Sequence, residues 1–318
     1  MNISGITYAQ KKNRKTQKAF IVSFLILICV ILIAVFGLSA YVGWNLIHPK
    51  RQALPKFSSN IVIEYKDVQF KDIEKTINLK GWYFKAKDSD KTIIMAHGYT
   101  NNRLQFKEKT IDLISGLQSK GFNVLVFDFR NAGISEGDKT TLGVYEKDDL
   151  LGAIKYMKAQ GSKHIILMGF SMGAATAIHT AAVSKDVEAV ISDASFADMD
   201  TYLRKNLSVW SGLPKFPFNN TVLLAVKLMA NVDTKTVCPK KEIELVAPRP
   251  VMLIHGEDDD TIPIENSEEI YDAYKKININ NITFWRVAGA KHVGSYEKDP
   301  QEYMRRIFEF LDKVYGKK

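Results

Sequence analysis

The stretch HIILMGFSMGAATAIHTAA, from His164 to Ala182, decides the fold. Its first seven residues form a short apolar run, which is typical of a strand covered on both faces of a parallel sheet. Residues 172–183 then have the pattern of a helix, and Ser171 lies between the two elements within GFSMG. Glycine and serine are common, but between a strand and a helix G-x-S-x-G predicts a nucleophilic serine on a sharp turn.

The residues beside Ser171 meet the physical demands of such a turn. A serine there has strained backbone angles, so the positions two residues away must lack bulk, and they are Gly169 and Gly173. The N terminus of the following helix also presents unpaired N–H groups that can stabilise an anion. The alternative interpretation is a serine without a chemical role in a turn.

Apolar runs and helical patterns alternate through the rest of the body. Residues 61–70 and 76–86 are expected to pair as antiparallel strands. Further strands are predicted at 92–96, 123–129, 164–170, 188–193, 251–256 and 282–289, and helices at 104–119, 144–159, 172–183, 264–276 and 299–314. This alternation predicts an α/β fold, with a mostly parallel central sheet that helices cover on both faces.

Residues at about 196–247 interrupt the alternation. They contain no sheet-like run, and long insertions in compact domains are usually functional or mobile. We therefore predict a small helical lid over a pocket, the alternative being a purely structural excursion. Five large side chains are candidates for lining an acyl pocket or for forming the lid's own core: Tyr202, Leu203, Trp210, Phe216 and Phe218.

The formal net charge of +9 is concentrated at the N terminus. Residues 1–51 hold seven basic residues and no acidic one, so the remaining chain carries only +2, the difference between nine and seven. The body therefore lacks the excess of basic residues that nucleic-acid binding requires, and no nucleic-acid partner is expected.

The segment 19–47 contains no charged residue. Because roughly 20 apolar residues cross a bilayer, we predict a single transmembrane anchor there, a linker at 48–59 and one domain at 60–318. Positive charge favours the cytoplasmic side, so the basic tail at 1–18 is expected inside the cell membrane and the catalytic domain outside it. The rival interpretation is a cleaved signal peptide ending at LSA, although the apolar part of such peptides spans only about 7–15 residues.

A serine hydroxyl is a weak nucleophile until a base removes its proton. The chain has six histidines, of which His97 and His255 each precede a glycine at the end of a predicted strand, a position that favours structural roles. His292 lies in the loop between the last predicted strand and the last helix. We expect it to be the base, the alternative being an exposed loop histidine.

The base in turn needs an acid that orients its tautomer and stabilises the imidazolium. Five carboxylates follow predicted strands: Asp193, Glu257, Asp258, Asp259 and Asp260. Their positions alone do not select one of them. The acidic loop is also compatible with a solvated turn or a weak cation site.

Two backbone N–H groups are candidates for stabilising a developing oxyanion. HGYTNN follows the predicted strand at 92–96, and Gly98 permits a tight turn that directs the N–H of Tyr99 towards the reacting carbonyl. The N–H of Met172, at the start of the helix, is the second candidate. One such donor stabilises the transition state by roughly 3–4 kcal/mol.

Together these motifs resemble the α/β-hydrolase superfamily, and within it bacterial membrane-anchored serine hydrolases of the esterase, lipase and serine aminopeptidase type. HGYTNN, DFRNAGISEG, GFSMG, HGEDDDTIP and GAKH occur in the family's order, and the resemblance covers about residues 60–315. One position departs from the pattern: Asn131 stands where many relatives have glycine. Asparagine tolerates a positive φ better than most residues, so we expect the turn to be kept.

The resemblance implies a role for each site residue. It assigns the nucleophile to Ser171, the base to His292, and the oxyanion hole to Tyr99 and Met172. In HGEDDDTIP the family's register makes Asp259 the acid, and the order Ser, Asp, His along the chain is the one that this fold uses. No metal ion and no organic cofactor is implied.

The predicted function is hydrolysis of a carboxylic ester through a Ser-His-Asp triad and an acyl-enzyme intermediate. A peptidase, a thioesterase or an acyltransferase would use the same residues, and a catalytically inactive, membrane-tethered binding protein is the alternative outside the enzymes. The expected substrate is a small-molecule or lipid-like acyl compound. The acyl chain length, the leaving group and the oligomeric state do not follow from the sequence.

Overall fold

The short apolar runs form the strands of one central sheet. The computed structural model describes residues 14–55 and 64–316, and over these residues eight strands join in the order β1-β2-β4-β3-β5-β6-β7-β8. The strands are β1 (Lys66–Lys71), β2 (Asn78–Phe84), β3 (Lys91–Ala96), β4 (Asn123–Phe127), β5 (His164–Phe170), β6 (Val187–Asp193), β7 (Val251–Gly256) and β8 (Ile282–Val287). The pairs β1–β2 and β2–β4 are antiparallel and the others are parallel. The mostly parallel sheet and its antiparallel opening are confirmed, except that residues 61–63 of the first predicted strand lie outside the described ranges.

Helices cover both faces of this sheet, as predicted. The helices of the described residues are α1 (Arg14–Ile47), α2 (Lys109–Ser119), α3 (Glu146–Ala159), α4 (Met172–Val183), α5 (Met199–Ser211), α6 (Lys215–Ala230), α7 (Pro239–Val246), α8 (Glu265–Asn278), α9 (Ser295–Lys298) and α10 (Pro300–Tyr315). Side chains alternate along a strand, so Ile166 and Met168 of β5 pack on one face with α2 and α10. Ile165 and Leu167 pack on the other face with α3, α4, α7 and α8.

The predicted lid segment contains three helices with two different positions. Helices α5 and α6 form a separate apolar cluster with the loops that follow β6 and β7, to which Phe196 and Ile262 contribute. They therefore cover the carboxyl ends of the parallel strands. Helix α7, which the sequence pattern did not reveal, packs instead against α4 and α8 as part of the layer on one face of the sheet.

Helix α1 is long and apolar enough to cross a membrane, and it includes the predicted anchor. Most of its side chains are exposed, as a lipid-facing surface requires. Near its C-terminal end Ser39, Gly43 and Ile47 are buried, and this end packs along α6. Of the predicted tail, residues 1–13 lie outside the described ranges, and so do residues 56–59 of the predicted linker.

Candidate active site

Ser171 lies on the turn between β5 and α4, with φ 53° and ψ −116°. A positive φ is unusual for a residue with a side chain and marks a strained backbone. A Cβ atom at Gly169 would lie 2.2 Å from the carbonyl oxygen of Gly173, and one at Gly173 would lie 2.1 Å from the carbonyl oxygen of Ala96. Both positions therefore require glycine, and its absence of bulk lets α4 approach the sheet.

Three of the predicted side chains form one hydrogen-bonded chain. Nε2 of His292 lies 2.9 Å from Oγ of Ser171, and Nδ1 of His292 lies 2.8 Å from Oδ2 of Asp259. Because an ionised carboxylate only accepts, Nδ1 carries the proton and Nε2 is free to accept the proton of the serine hydroxyl. The three residues follow β5, β7 and β8, so they meet where the carboxyl ends of parallel strands share one edge of the sheet.

The environment of Asp259 keeps it ionised. Burial by itself raises the pKa of this carboxyl, but hydrogen bonds from His255, His292 and the N–H of Ile262 outweigh it, so the pKa lies well below its usual range. Oδ1 accepts from the backbone N–H groups of Thr261 at 2.9 Å and Ile262 at 2.8 Å. A negative charge facing Nδ1 of His292 stabilises the imidazolium that forms when Nε2 takes a proton.

His255 supports this carboxylate, a contribution that the sequence analysis did not assign. Its ring is fully buried, with Nε2 2.7 Å from the carbonyl oxygen of Ile262 and 3.2 Å from Oδ2 of Asp259. A carbonyl oxygen only accepts, so Nε2 carries a proton and also faces the carboxylate. The signal for it is the first residue of HGEDDDTIP, whose strand-end position by itself favours only a structural role.

The structure gives no hydrogen bond between His292 and the other four candidate acids. Glu257, Asp258 and Asp260 are exposed. Asp193 is buried under the site and accepts a hydrogen bond from the hydroxyl of Tyr303 at 2.9 Å. Burial raises the pKa of Asp193 to about 7 despite that hydrogen bond. Of the five carboxylates, only Asp259 is both ionised by its surroundings and hydrogen-bonded to the imidazole.

The two predicted oxyanion donors belong to segments next to the serine. The N–H of Met172 belongs to the first turn of α4, where N–H groups have no acceptor within the helix. The loop of Tyr99 abuts the turn, because a Cβ atom at Gly98 would lie 3.4 Å from Cβ of Ser171. Both residues line the same cavity as Ser171 and His292.

Buried polar contacts hold the Tyr99 loop in position. Nε2 of His97 accepts from the N–H of Phe129 at 3.0 Å, and its Nδ1 faces the carbonyl oxygen of Gly98 at 2.8 Å. Burial lowers the pKa of His97, which agrees with a neutral ring that donates at one nitrogen and accepts at the other. His97 is therefore a structural residue here, as its position in the sequence favoured.

The DFRNAG loop also has a supporting role. Asp128 forms a buried ion pair with Arg103 at 2.7 Å. Asn131, the departure from the family's glycine, has φ 55°, so the turn is kept as expected. The ion pair does not involve Ser171, which agrees with a loop that supports the site without taking part in its chemistry.

Ser171 and His292 open onto an apolar cavity of about 360 Å³. This volume is within the range of roughly 300–1,000 Å³ that is usual for small-molecule sites. Tyr202, Leu203 and Trp210 of α5 line it, which is the first of the two roles expected for the large lid side chains. Phe216 and Phe218 do not line the cavity. Phe216 is 83% exposed, so for this residue both expected roles are wrong.

Leu46 and Ile47 of α1 also line the cavity, a role that the sequence does not predict. They lie at the end of the apolar segment predicted to span a membrane, and no local pattern distinguishes them from the rest of it. The whole arrangement provides a hydroxyl next to a base, a carboxylate behind the base, N–H groups beside the hydroxyl and an apolar cavity. It can accept an acyl group and transfer it to water.

Comparison with known proteins agrees with this fold. Residues 91–231 match the family described as alpha/beta hydrolase fold. The chain is 31% identical over 261 residues to the uncharacterized protein YqkD of Bacillus subtilis, covering 77% of this chain and 82% of YqkD. It is 26% identical to the lysophosphatidylserine lipase ABHD12 of Danio rerio, covering 74% of this chain and 61% of that protein. The Pyrococcus furiosus esterase PF2001 superposes with a TM-score of 0.69 at 29% identity, covering 84% of this chain and 98% of the esterase.

Proposed function

The chain belongs to the alpha/beta hydrolase superfamily and is an esterase-type hydrolase, and from this premise we propose that it cleaves a carboxylic ester through Ser171, His292 and Asp259. The hydrogen-bonded chain from the serine hydroxyl through the imidazole to the buried carboxylate carries the proposal. Such a chain converts a weak nucleophile into one that attacks an acyl carbon.

In the first half of the reaction Oγ of Ser171 attacks the carbonyl carbon of the ester while Nε2 of His292 takes the hydroxyl proton. The carbonyl oxygen becomes an oxyanion that accepts hydrogen bonds from the N–H groups of Tyr99 and Met172. The tetrahedral intermediate then collapses, the bond from carbon to the alcohol oxygen breaks, and His292 returns its proton to the leaving alcohol. The products are an ester of Ser171 and the free alcohol.

In the second half water repeats these steps on the acyl-enzyme. His292 removes a proton from the water as the water oxygen attacks the acyl carbon. The intermediate collapses with return of the proton to Oγ of Ser171, and the carboxylic acid leaves. Asp259 stabilises the imidazolium in both halves, because its pKa is held low by the surrounding donors.

The shape of the cavity supports an acyl group as the part of the substrate that it binds. Its lining is dominated by aliphatic and aromatic side chains, among them Leu203, Leu223 and Val226. The relatives include a protein named as an esterase and one named as a lysophosphatidylserine lipase. A small or lipid-like acyl ester agrees with both observations.

The proposal includes the position of the enzyme in the cell. Helix α1 would span the cell membrane, with the basic residues at its N-terminal end in the cytoplasm and the hydrolase domain outside. The proposed organisation is a tail at 1–18, an anchor at 19–47, a linker at 48–59 and a hydrolase domain at 60–318, with a lid within 196–247.

Covalent labelling with a fluorophosphonate tests the proposed nucleophile. Wild-type protein should label at Ser171, and S171A should not label and should lose roughly 10⁴-fold or more of its turnover. Circular dichroism provides the control that S171A is folded. A folded wild type that does not label would instead support an inactive, membrane-tethered binding protein.

A substrate panel tests the preference for esters. We expect turnover of p-nitrophenyl esters of graded chain length, with acyl-CoA thioesters and aminoacyl compounds much slower. Hydrolysis of an aminoacyl compound alone would show a peptidase that uses the same residues. Preference for a thioester, or transfer of the acyl group to an added alcohol in place of water, would show a thioesterase or an acyltransferase.

A further inference from the structure

The C-terminal end of α1 packs against helix α6 through side-chain contacts. Oγ of Ser39 lies 2.6 Å from Oγ1 of Thr221, and Ser39 is fully buried. A Cβ atom at Gly43 would lie 3.0 Å from Cε of Met229 and 3.3 Å from Cγ2 of Val226, so the two helices approach closely there. The contacts therefore join the anchor to the lid over several helical turns.

Hydrogen bonds to the last carbonyl groups of α1 continue this attachment into the hydrolase domain. The carbonyl oxygen of Leu46 accepts from the hydroxyl of Tyr99 at 2.8 Å, and that of Ile47 accepts from the N–H of Thr140 at 2.8 Å. The last carbonyl groups of a helix have no partner within the helix. Here the domain supplies those partners, so the end of α1 has a defined position relative to the proposed oxyanion loop.

This position brings two anchor side chains to the cavity. Leu46 and Ile47 line it together with Leu223 and Val226 of the lid, and Ser171 lies in the same lining. Ile47 is only 3% exposed, whereas Leu38 on the same helix is 40% exposed. The buried stripe of α1 thus ends inside the apolar cavity.

We propose that the end of the anchor, at Leu46 and Ile47, is a wall of the acyl-binding site, and that Ile47 limits the length of the acyl chain. This inference depends on the proposed ester hydrolysis at Ser171, because the cavity is taken to hold the acyl part of that substrate. The anchor has a second effect in this arrangement. It holds α6 over the serine, so the lid position depends on the docking of α1.

Acyl-length profiles of full-length protein in lipid nanodiscs test the wall. I47W should lower the ratio of kcat/KM for p-nitrophenyl decanoate to kcat/KM for the acetate by roughly tenfold or more, because a decanoyl chain needs cavity space that the added ring takes and an acetyl group needs far less. I47A should shift the preference towards longer chains. The matched control is L38W, which adds the same ring to an exposed face of α1 and should leave the profile unchanged.

A disulfide tests whether the enzyme is active while α1 stays packed on α6. In a C29S/C238S background, S39C/T221C should oxidise to a cross-link between α1 and α6, and the cross-linked enzyme should keep its hydrolysis of decanoate. The control is the same variant after reduction. Loss of activity on cross-linking, restored by reduction, would mean that α1 must leave α6 during turnover and would overturn the inference.

The outcomes separate this inference from the proposed function. If wild type does not label at Ser171 and hydrolyses neither ester, the proposed function fails. If wild type labels and hydrolyses the acetate, but I47W and I47A have the same acyl-length profile as L38W, ester hydrolysis is supported. The proposal that Ile47 limits the acyl chain is then overturned. If I47W does not fold, the acyl-length profile of I47A and the activity of the cross-linked S39C/T221C variant still test the proposal.

Discussion

At the scale of single residues, Asp259 differs from its acidic neighbours because its carboxylate accepts a hydrogen bond from Nδ1 of His292. We predict that D259N lowers kcat by roughly 10³–10⁴-fold, since an amide at this position no longer favours the proton on Nδ1. D258N removes an exposed carboxylate from the same loop and should leave kcat unchanged. Ester hydrolysis under saturating substrate measures both. An equal loss in D193N with little loss in D259N would identify Asp193 as the acid.

The buried carboxyl of Asp193 should make the protein less stable at high pH. Its pKa rises from 3.8 unfolded to about 7 folded, because burial disfavours the charge. Between these two pH values the Asp193 carboxyl is protonated in the folded state and ionised in the unfolded state. The stabilisation that this protonated carboxyl gives the folded state is therefore complete below about pH 3.8, and it is lost as the pH rises through about 7. We predict that D193N, which carries no charge, gains in melting temperature relative to wild type between pH 5 and pH 8.

Thermal unfolding followed by circular dichroism at several pH values measures this difference. The exposed carboxylate of Asp186 provides the control, because D186N should differ from wild type by the same amount at pH 5 and pH 8. A difference between D193N and wild type that does not change with pH would show that Asp193 is already ionised in the folded protein.

Several of these residue-level features could be anticipated from sequence and others could not. Gly169 and Gly173 were expected because a strained serine turn excludes side chains, and the structure confirms the close contacts. The choice among five carboxylates rested on the family's register, because spacing along the chain does not encode which oxygen faces an imidazole. The second partner of Asp259, His255, depends on the same three-dimensional packing.

At the scale of elements, the serine turn depends on the contact between β3 and α4. A Cβ atom at Gly173 would lie 2.1 Å from the carbonyl oxygen of Ala96 and 2.6 Å from that of His97, and backbone atoms cannot move aside as a flexible side chain can. We predict that G173A lowers the free energy of unfolding by about 1–3 kcal/mol or more. It should also slow fluorophosphonate labelling, because the turn must shift.

Urea unfolding and the labelling rate measure the two effects. The matched control is G37A, since a Cβ atom at Gly37 has no neighbour within 4 Å. This control should leave the free energy of unfolding of the domain and the labelling rate close to wild type. A G173A protein with normal stability and normal labelling would contradict the packing argument.

The length of an element and the clarity of its burial pattern explain why most strands and helices were predicted and α7 was not. Apolar runs and amphipathic patterns indicated the strands and the helices of the body, because these patterns reflect which faces are buried. Helix α7 is only eight residues long, too short for a clear period, and it was missed. Phe216 is among the large lid side chains expected in a pocket or in the lid's own core, yet it is 83% exposed near the start of α6.

At the scale of the whole molecule, the basic residues before the apolar segment predict the orientation of the chain. K185C introduces a thiol at an exposed position of the hydrolase domain. If that domain faces outward, a membrane-impermeant maleimide should label K185C in intact cells, whereas wild type should give only background, because Cys238 is buried and Cys29 lies in the apolar part of α1. Labelling of K185C only after permeabilisation would reverse the proposed orientation.

The anchor and the hydrolase domain are not independent parts of this molecule. The alternative of cleavage at LSA would remove Ser39, which is buried against Thr221. Mass spectrometry of the protein extracted from membranes should therefore find residues 1–40 still attached. A mature protein that starts at Tyr41 would show that the docked helix is not retained in the cell.

The sequence by itself determined the order of the strands and of most helices along the chain, the glycine-flanked serine turn and the apolar N-terminal segment. These features are local, because backbone geometry and the burial of one face impose a period on neighbouring residues. Only the tertiary structure decided which side chains meet: Ser171 and His292 are 121 positions apart, and Ile47 reaches the cavity only because α1 packs on α6. Contacts of this kind depend on how whole elements pack, and no pattern within a short stretch of chain records them.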